Sequence, residues 1–157
     1  MKYFYIALIF VVSACSNGNS LESENASDTT SFVSNDTIPE RRKEVSNKPV
    51  ASYLVPVKDP VLQQKFGVEI YETPLTFQYL LRMQYEGMKV TDTLKVPNFG
   101  TWPVVKINPG KDKLSCIIGF LDKKKEFKEY KLLTAKGDKM RLIVLKRYRV
   151  GVYRDTY

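Results

Sequence analysis

The chain has 157 residues, enough for one ordinary domain with appendages. Two cysteines and no histidine exclude a disulfide-rich scaffold and remove the commonest general base and transition-metal ligand. The net charge of +8 is unevenly spread: residues 51–157 hold 20 of the 25 Lys and Arg against 11 of the 17 Asp and Glu, whereas residues 16–50 are net −2.

Met1-Lys2 supplies one positive charge, and Tyr3 to Val12 is an apolar run closed by the small residues Ser13 and Ala14. A charged start, a short apolar stretch and a small-residue exit describe a secretory signal over residues 1–14. The run is too short to cross a bilayer, which needs about 20 apolar residues. Val12-Ser13-Ala14-Cys15 resembles the lipobox of bacterial lipoproteins. That resemblance implies cleavage before Cys15, a diacylglyceryl group on its thiol and acylation of the new amino terminus, so that the chain is held to a membrane by fatty chains. Ser16 stands where lipoproteins kept in the inner membrane carry Asp. The family pattern therefore implies an outer-membrane anchor, with the domain facing the periplasm.

Residues 15–50 are rich in Ser, Asn, Thr, Asp and Glu, a composition that buries too little apolar surface to offset ordering entropy. They read as a lipidated cysteine and a disordered tether spanning roughly 30 Å root-mean-square. Arg41-Arg42-Lys43 at its far end reads as a solvated charge run.

From Tyr53 onward the apolar period becomes 2, and residues 51–157 read as one mainly β domain. Asp59-Pro60, with Gly67 after Phe66, predicts a short helix near residues 60–66. Phe77, Tyr79, Leu81, Met83 and Tyr85 alternate with polar residues, with Leu80 the exception. This pattern predicts a half-buried strand that turns at Gly87 and returns through residues 88–96. Strands are also expected over 102–107, 114–121 and 140–153, the last with a bulge near Tyr148. Residues 123–136 fit a strand or a helix capped by Asp122, and the surrounding meander favours the strand. The sum is an antiparallel β-sandwich of six or seven short strands and one short helix, with a small barrel as the alternative.

The sequence has no nucleophile elbow, phosphate loop or His-Glu helix motif, and Cys116 sits in an apolar strand with no histidine to activate it. Glu69 with Glu72, and Glu126 with Glu129, fit solvated positions better than a catalytic pair. A non-enzymatic role without cofactor or metal is expected. Lys123, Lys124 and Lys125, with Arg147 and Arg149, form a basic concentration that attracts anionic partners, and export argues against nucleic acid. The connection Val96-Pro97-Asn98-Phe99-Gly100-Thr101-Trp102-Pro103 offers Phe99 and Trp102 as proline-stiffened binding anchors. Filling the core is the favoured role for Trp102, and the two roles stand level for Phe99. In architecture the chain resembles the small sandwich lipoproteins of type VI secretion membrane complexes. That likeness implies a docking subunit of an envelope machine, binding protein through loops and a strand edge. The alternative is a binding module for an anionic glycan or glycolipid, with Tyr148 and Tyr153 as stacking platforms.

Overall fold

The computed structural model describes residues 29–34, 38–57 and 64–152. The leader 1–14 and Cys15 lie outside the described residues. Ten strands are described: β1 (Thr29–Ser34), β2 (Ala51–Pro56), β3 (Lys65–Glu72), β4 (Gln78–Tyr85), β5 (Met88–Lys95), β6 (Val104–Pro109), β7 (Ser115–Leu121), β8 (Phe127–Lys136), β9 (Lys139–Val144) and β10 (Arg147–Val152). They form two antiparallel four-stranded meanders, β2-β3-β4-β5 and β6-β7-β8-β9, and a parallel pair, β1-β10. The chain is mainly β, with more strands than the six or seven expected.

Both meanders feed one core. Phe66, Val68 and Ile70 of β3 and Tyr79, Leu81, Met83 and Tyr85 of β4 meet Cys116, Ile118 and Phe120 of β7 and Leu133 of β8. The alternation read over β4 therefore holds residue by residue, and the two sheets share their apolar faces as in a sandwich. Each large side chain removed from water contributes about 1.5–3 kcal/mol. The buried hydroxyls in this core are satisfied. Thr76 donates to Pro39 O at 2.6 Å, and Ser115 donates to Asp112 O at 2.8 Å.

The helix expected near 60–66 is not borne out. No helix occurs among the described residues; 60–63 lie outside them, and Lys65 and Phe66 already belong to β3. Phe66 alternates inward with Val68 and Ile70, so the strand pattern outweighs the flanking Pro and Gly. Gly67 is not a helix stop. Its φ is 151°, and an added Cβ would fall 1.8 Å from Tyr53 O, so only glycine lets β2 approach there. Residues 123–136 resolve as a strand starting at Phe127, and the strand expected from 102 starts at Val104, after Pro103.

The long last strand is two. β9 stops at Val144, Leu145 and Lys146 both donate their N–H to Tyr130 O, and β10 starts at Arg147. The register shift sits instead between β7 and β8, at Ile118 and Gly119.

Two pieces of the stretch 15–50 make main-chain contacts with the strands. Thr29–Ser34 runs parallel to β10, and the stretch from residue 38 is fixed to the first meander. Arg42 N donates to Pro74 O, Thr76 N to Glu40 O and Val50 N to Ile70 O. Arg41 forms an antiparallel bridge with Leu75. Main-chain hydrogen bonds, joined by those of the Arg42 and Thr76 side chains, hold this polar segment.

The two flanks of the molecule differ. Along one, edge strands β2 and β6 lie against each other. Along the other, Tyr85 Oη donates to Gly137 O at 2.7 Å, and Lys131 Nζ meets Asp92 Oδ2 at 3.3 Å. Pairing with Tyr85 and Met83 puts Met88 and Val90 on the core side of β5, yet they are 38 % and 46 % exposed. On β9, Val144 pairs with Lys131 and is 42 % exposed.

Candidate functional site

The acidic residues singled out in the sequence do not converge. Glu69 Oε2 accepts from Tyr71 Oη at 3.3 Å, while Glu72 pairs with Arg42 and accepts from Ser46 N at 3.0 Å. Glu126 pairs with Lys128 at 2.8 Å, and Glu129 offers its main-chain carbonyl to Tyr148 Oη at 2.6 Å. Cys116 is fully buried, and desolvation pushes its thiol up to about 12. A thiolate at neutral pH is thereby disfavoured. Among the described residues no group of three or more Asp, Glu or Cys side chains is placed to hold a metal ion.

The basic residues do gather. Val104 pairs with Leu121, so the 97–103 connection and the turn after β7 leave the second meander at the same end. Val144 pairs with Lys131, which sends β9 toward that end as well. There Tyr148 Oη reaches Glu129 O, placing the start of β10 beside it. Lys123, Lys124, Lys125, Arg147, Arg149 and Trp102 are all exposed there.

The lysine turn is built by Asp122. Its Oδ1 accepts from Lys124 N and Glu126 N, both at 2.9 Å, and its main chain closes the loop with Glu126 O at 3.0 Å and Lys125 N at 2.9 Å. A carboxylate that accepts backbone N–H groups in this way replaces the missing ladder bonds. Lys125 takes a left-handed backbone, φ 63°, at the reversal. Lys128 Nζ lies 3.1 Å from Asp122 Oδ2 and 2.8 Å from Glu126 Oε2. Burial pulls the Asp122 carboxyl upward, but the hydrogen bonds from Glu126, Lys128 and Lys124 outweigh it, and the group stays below the ordinary carboxylate range. Hydrogen bonds to Glu126 and Asp122 hold Lys128 above its ordinary value.

In the aromatic connection the core role favoured for Trp102 is not met, and of the two roles left level for Phe99 the structure shows the core one. Phe99 is buried and packs on Phe120 with ring centroids 5.3 Å apart, so it is not a surface anchor. Trp102 is 54 % exposed and does not plug the core. The reversal lies between them. Asn98 Oδ1 accepts from Gly100 N at 2.8 Å, Gly100 adopts φ 71°, and the chain turns so that one ring enters and the next leaves. Tyr79 Oη donates to Pro103 O at 3.0 Å and pins the far side. Trp102 and Pro103 line a surface depression of about 480 Å³ together with Pro39, Arg42, Lys43, Glu44 and Glu72.

Tyr148, expected as a stacking platform, is instead packed edge-on against Phe120 and Tyr130 at 5.0 and 5.9 Å. Tyr153 lies outside the described residues. Arg42 was missed as a structural residue. Its side chain is 5 % exposed, its guanidinium donates to Thr73 O at 2.9 Å and Thr76 O at 2.6 Å, and it meets Glu72 Oε1 at 3.3 Å. A guanidinium offers five donors in a rigid fork, which is what a cluster of carbonyls requires. A run of three basic residues gives no signal of which one turns inward.

The fold and these surfaces define a small, mainly β domain of two antiparallel sheets. It has a basic, Trp-tipped end and one flank that exposes apolar side chains. No protein-family model, curated protein or solved structure matches the chain.

Proposed function

We propose that the chain is a lipid-anchored, non-catalytic docking subunit of a cell-envelope protein complex, carried on the outer membrane by Cys15 and facing the periplasm. The anchor rests on the apolar run and lipobox-like residues described above. Among the described residues no helix is long and apolar enough to cross a membrane.

One observation carries the docking role: the apolar side chains exposed on the edge strands of the same flank, Met88 and Val90 on β5 with Ile143 and Val144 on β9. An edge strand presents unpaired N–H and C=O groups to a partner strand, and alternating side chains beside it supply the specificity. Native chains usually blunt such edges with charge, so apolar residues there favour a covering partner.

Photo-crosslinking residues placed at Val90 and Val144 test this in intact cells, with Arg82 on the outer face of β4 as the control position. The expected outcome is one discrete crosslinked species from both flank positions and none from Arg82, lost in Val90→Lys and Val144→Lys chains. Retention of the crosslinked species in both lysine variants overturns the reading. Mass spectrometry of the processed amino terminus tests the anchor separately; an unmodified thiol on Cys15 rejects it.

A second reading, an anionic glycan or glycolipid held by the basic end, is favoured by the exposed Lys123, Lys124 and Lys125 turn. It predicts binding that collapses as ionic strength rises.

A further inference from the structure

We propose that the end of the domain bearing Trp102 and the Lys123, Lys124 and Lys125 turn docks on a bilayer rich in anionic phospholipid, so that the domain rests on the membrane with this end down. This goes beyond the docking of a protein partner at the β5–β9 flank, and it rests on the anchored reading only for which surface lies nearest the bilayer.

Three observations converge. The first is where the chain enters the domain. Thr76 donates to Pro39 O, and Pro39, Lys43 and Glu44 line the same depression as Trp102. Pro39 therefore joins the body at the Trp102 end, and Thr29, farther up the chain, pairs with Arg147 of the basic cluster at this end, so a leash drawn toward a membrane delivers this end first.

The second is the chemistry of the surface. Lysine ammonium groups are point charges on flexible stems, suited to a planar array of phosphates that offers charge density rather than a fixed bidentate geometry. Arg147 pairs with Thr29 and Arg149 with Ser31, so the two arginines share one face of the β1-β10 ribbon and widen the positive field at this end. A half-exposed indole flanked by prolines suits the headgroup layer, where an apolar ring and an N–H donor are both accommodated.

The third is that the two surfaces do not compete. The lysine turn caps one end of the strands, while Met88 and Val90 begin β5 beside the Gly87 turn at the other. A domain seated on its end keeps the flank open to a protein.

Trp102 is the only tryptophan in the sequence, so its fluorescence reports this surface alone. The full chain, purified from membranes in detergent, is reconstituted into vesicles containing brominated acyl chains, made with either phosphatidylglycerol and phosphatidylethanolamine or phosphatidylcholine alone. The expected result is a blue-shifted, quenched Trp102 in the anionic vesicles only, relieved by 0.5 M salt, a concentration that screens charges beyond about 4–5 Å. The Lys123→Gln/Lys124→Gln/Lys125→Gln chain should lose the response by roughly tenfold or more, at several-fold per lysine.

A chain that floats with the vesicles while Trp102 stays solvent-exposed in every composition overturns the proposal and leaves the anchor intact. A chain that does not float in phosphatidylcholine vesicles but is quenched by anionic ones rejects the anchor and keeps the docking surface. Equal quenching in neutral and anionic vesicles, insensitive to salt, also overturns it, as does shielding of Trp102 only when another envelope protein is added.

Discussion

The guanidinium carbon of Arg42 stands 4.6 Å from the centre of the Tyr79 ring, so a cation from the polar amino-terminal stretch covers the start of the β4 core face. Arg42 also reaches the carbonyls of Thr73 and Thr76 and the carboxylate of Glu72. One side chain thus fixes the 73–78 turn, closes the core over Tyr79 and attaches the segment 38–50 to the first meander. Burial is the main reason the Tyr79 hydroxyl sits above its ordinary value, with Arg42 pulling the other way.

Replacing this arginine should loosen all three contacts at once. Arg42→Ala leaves the part-buried carbonyls of Thr73 and Thr76 without this donor and Glu72 without its ion pair, at a cost of about 2–4 kcal/mol. Arg42→Lys should recover less than half of it, because one ammonium cannot serve several carbonyls in the fork geometry. Arg41→Ala, at an exposed neighbour, should change stability by no more than about 0.5 kcal/mol. Urea unfolding of the three chains measures the differences; equal effects of Arg42→Ala and Arg41→Ala would show that the guanidinium is ornamental.

How far the sequence foretells these features depends on whether the chemistry repeats. The β4–β5 hairpin is legible because Tyr79, Leu81, Met83 and Tyr85 alternate strictly, and all four are buried. Leu80, the exception to the pattern, lies half-buried on the opposite face. The supposed helix at 60–66 fails because Asp-Pro and Gly are local signals, whereas Phe66, Val68 and Ile70 answer to packing across the sheets. Phe99 and Trp102 could not be sorted in advance. Both sit between Pro97 and Pro103, and which ring enters is decided by the positive φ of Gly100, a property of the folded chain. Arg42 is invisible for a related reason: burying one cation depends on carbonyls some thirty residues downstream, and no local period records that.

Alkaline pH should weaken the fold. Desolvation raises the Cys116 thiol from 9.0 to about 12 in the folded chain, and burial likewise raises the hydroxyls of Tyr79, Tyr85 and Tyr130. Between pH 9 and 12 the unfolded chain therefore holds fewer protons than the folded one. Stability is fully present below 9.0 and is lost as pH rises toward 12. Denaturant midpoints at pH 7, 9 and 11 measure the decline. Cys116→Ala should be less stable at pH 7 because it leaves a small cavity, yet fall less steeply above pH 9. Native Cys116 should resist alkylation at pH 8 and react fully in denaturant. A thiol modified rapidly in the folded chain contradicts the burial argument.

The lysine turn gives a separate test of how the basic end is displayed. Asp122 serves it in two ways, with Oδ1 accepting from the N–H groups of Lys124 and Glu126, and Oδ2 meeting Lys128. Asp122→Ala removes both and should cost about 1–2 kcal/mol. Asp122→Asn keeps an oxygen for the two N–H groups and loses only the ion pair, so it should cost about half as much. Lys125 adds a strained backbone, φ 63°, that those hydrogen bonds must hold in place. Hydrogen exchange at the Lys124 and Glu126 amides should therefore accelerate in Asp122→Ala and change little in Asp122→Asn. Because the folded carboxyl lies below its ordinary value of 3.8, its contribution is present above that pH and disappears as pH falls through the lower folded value. The stability gap between the native chain and Asp122→Ala should accordingly close on acidification from pH 7 to pH 2. A gap that stays constant over that range would mean that the charge on Asp122 does not contribute, and that the turn is held by its main chain alone.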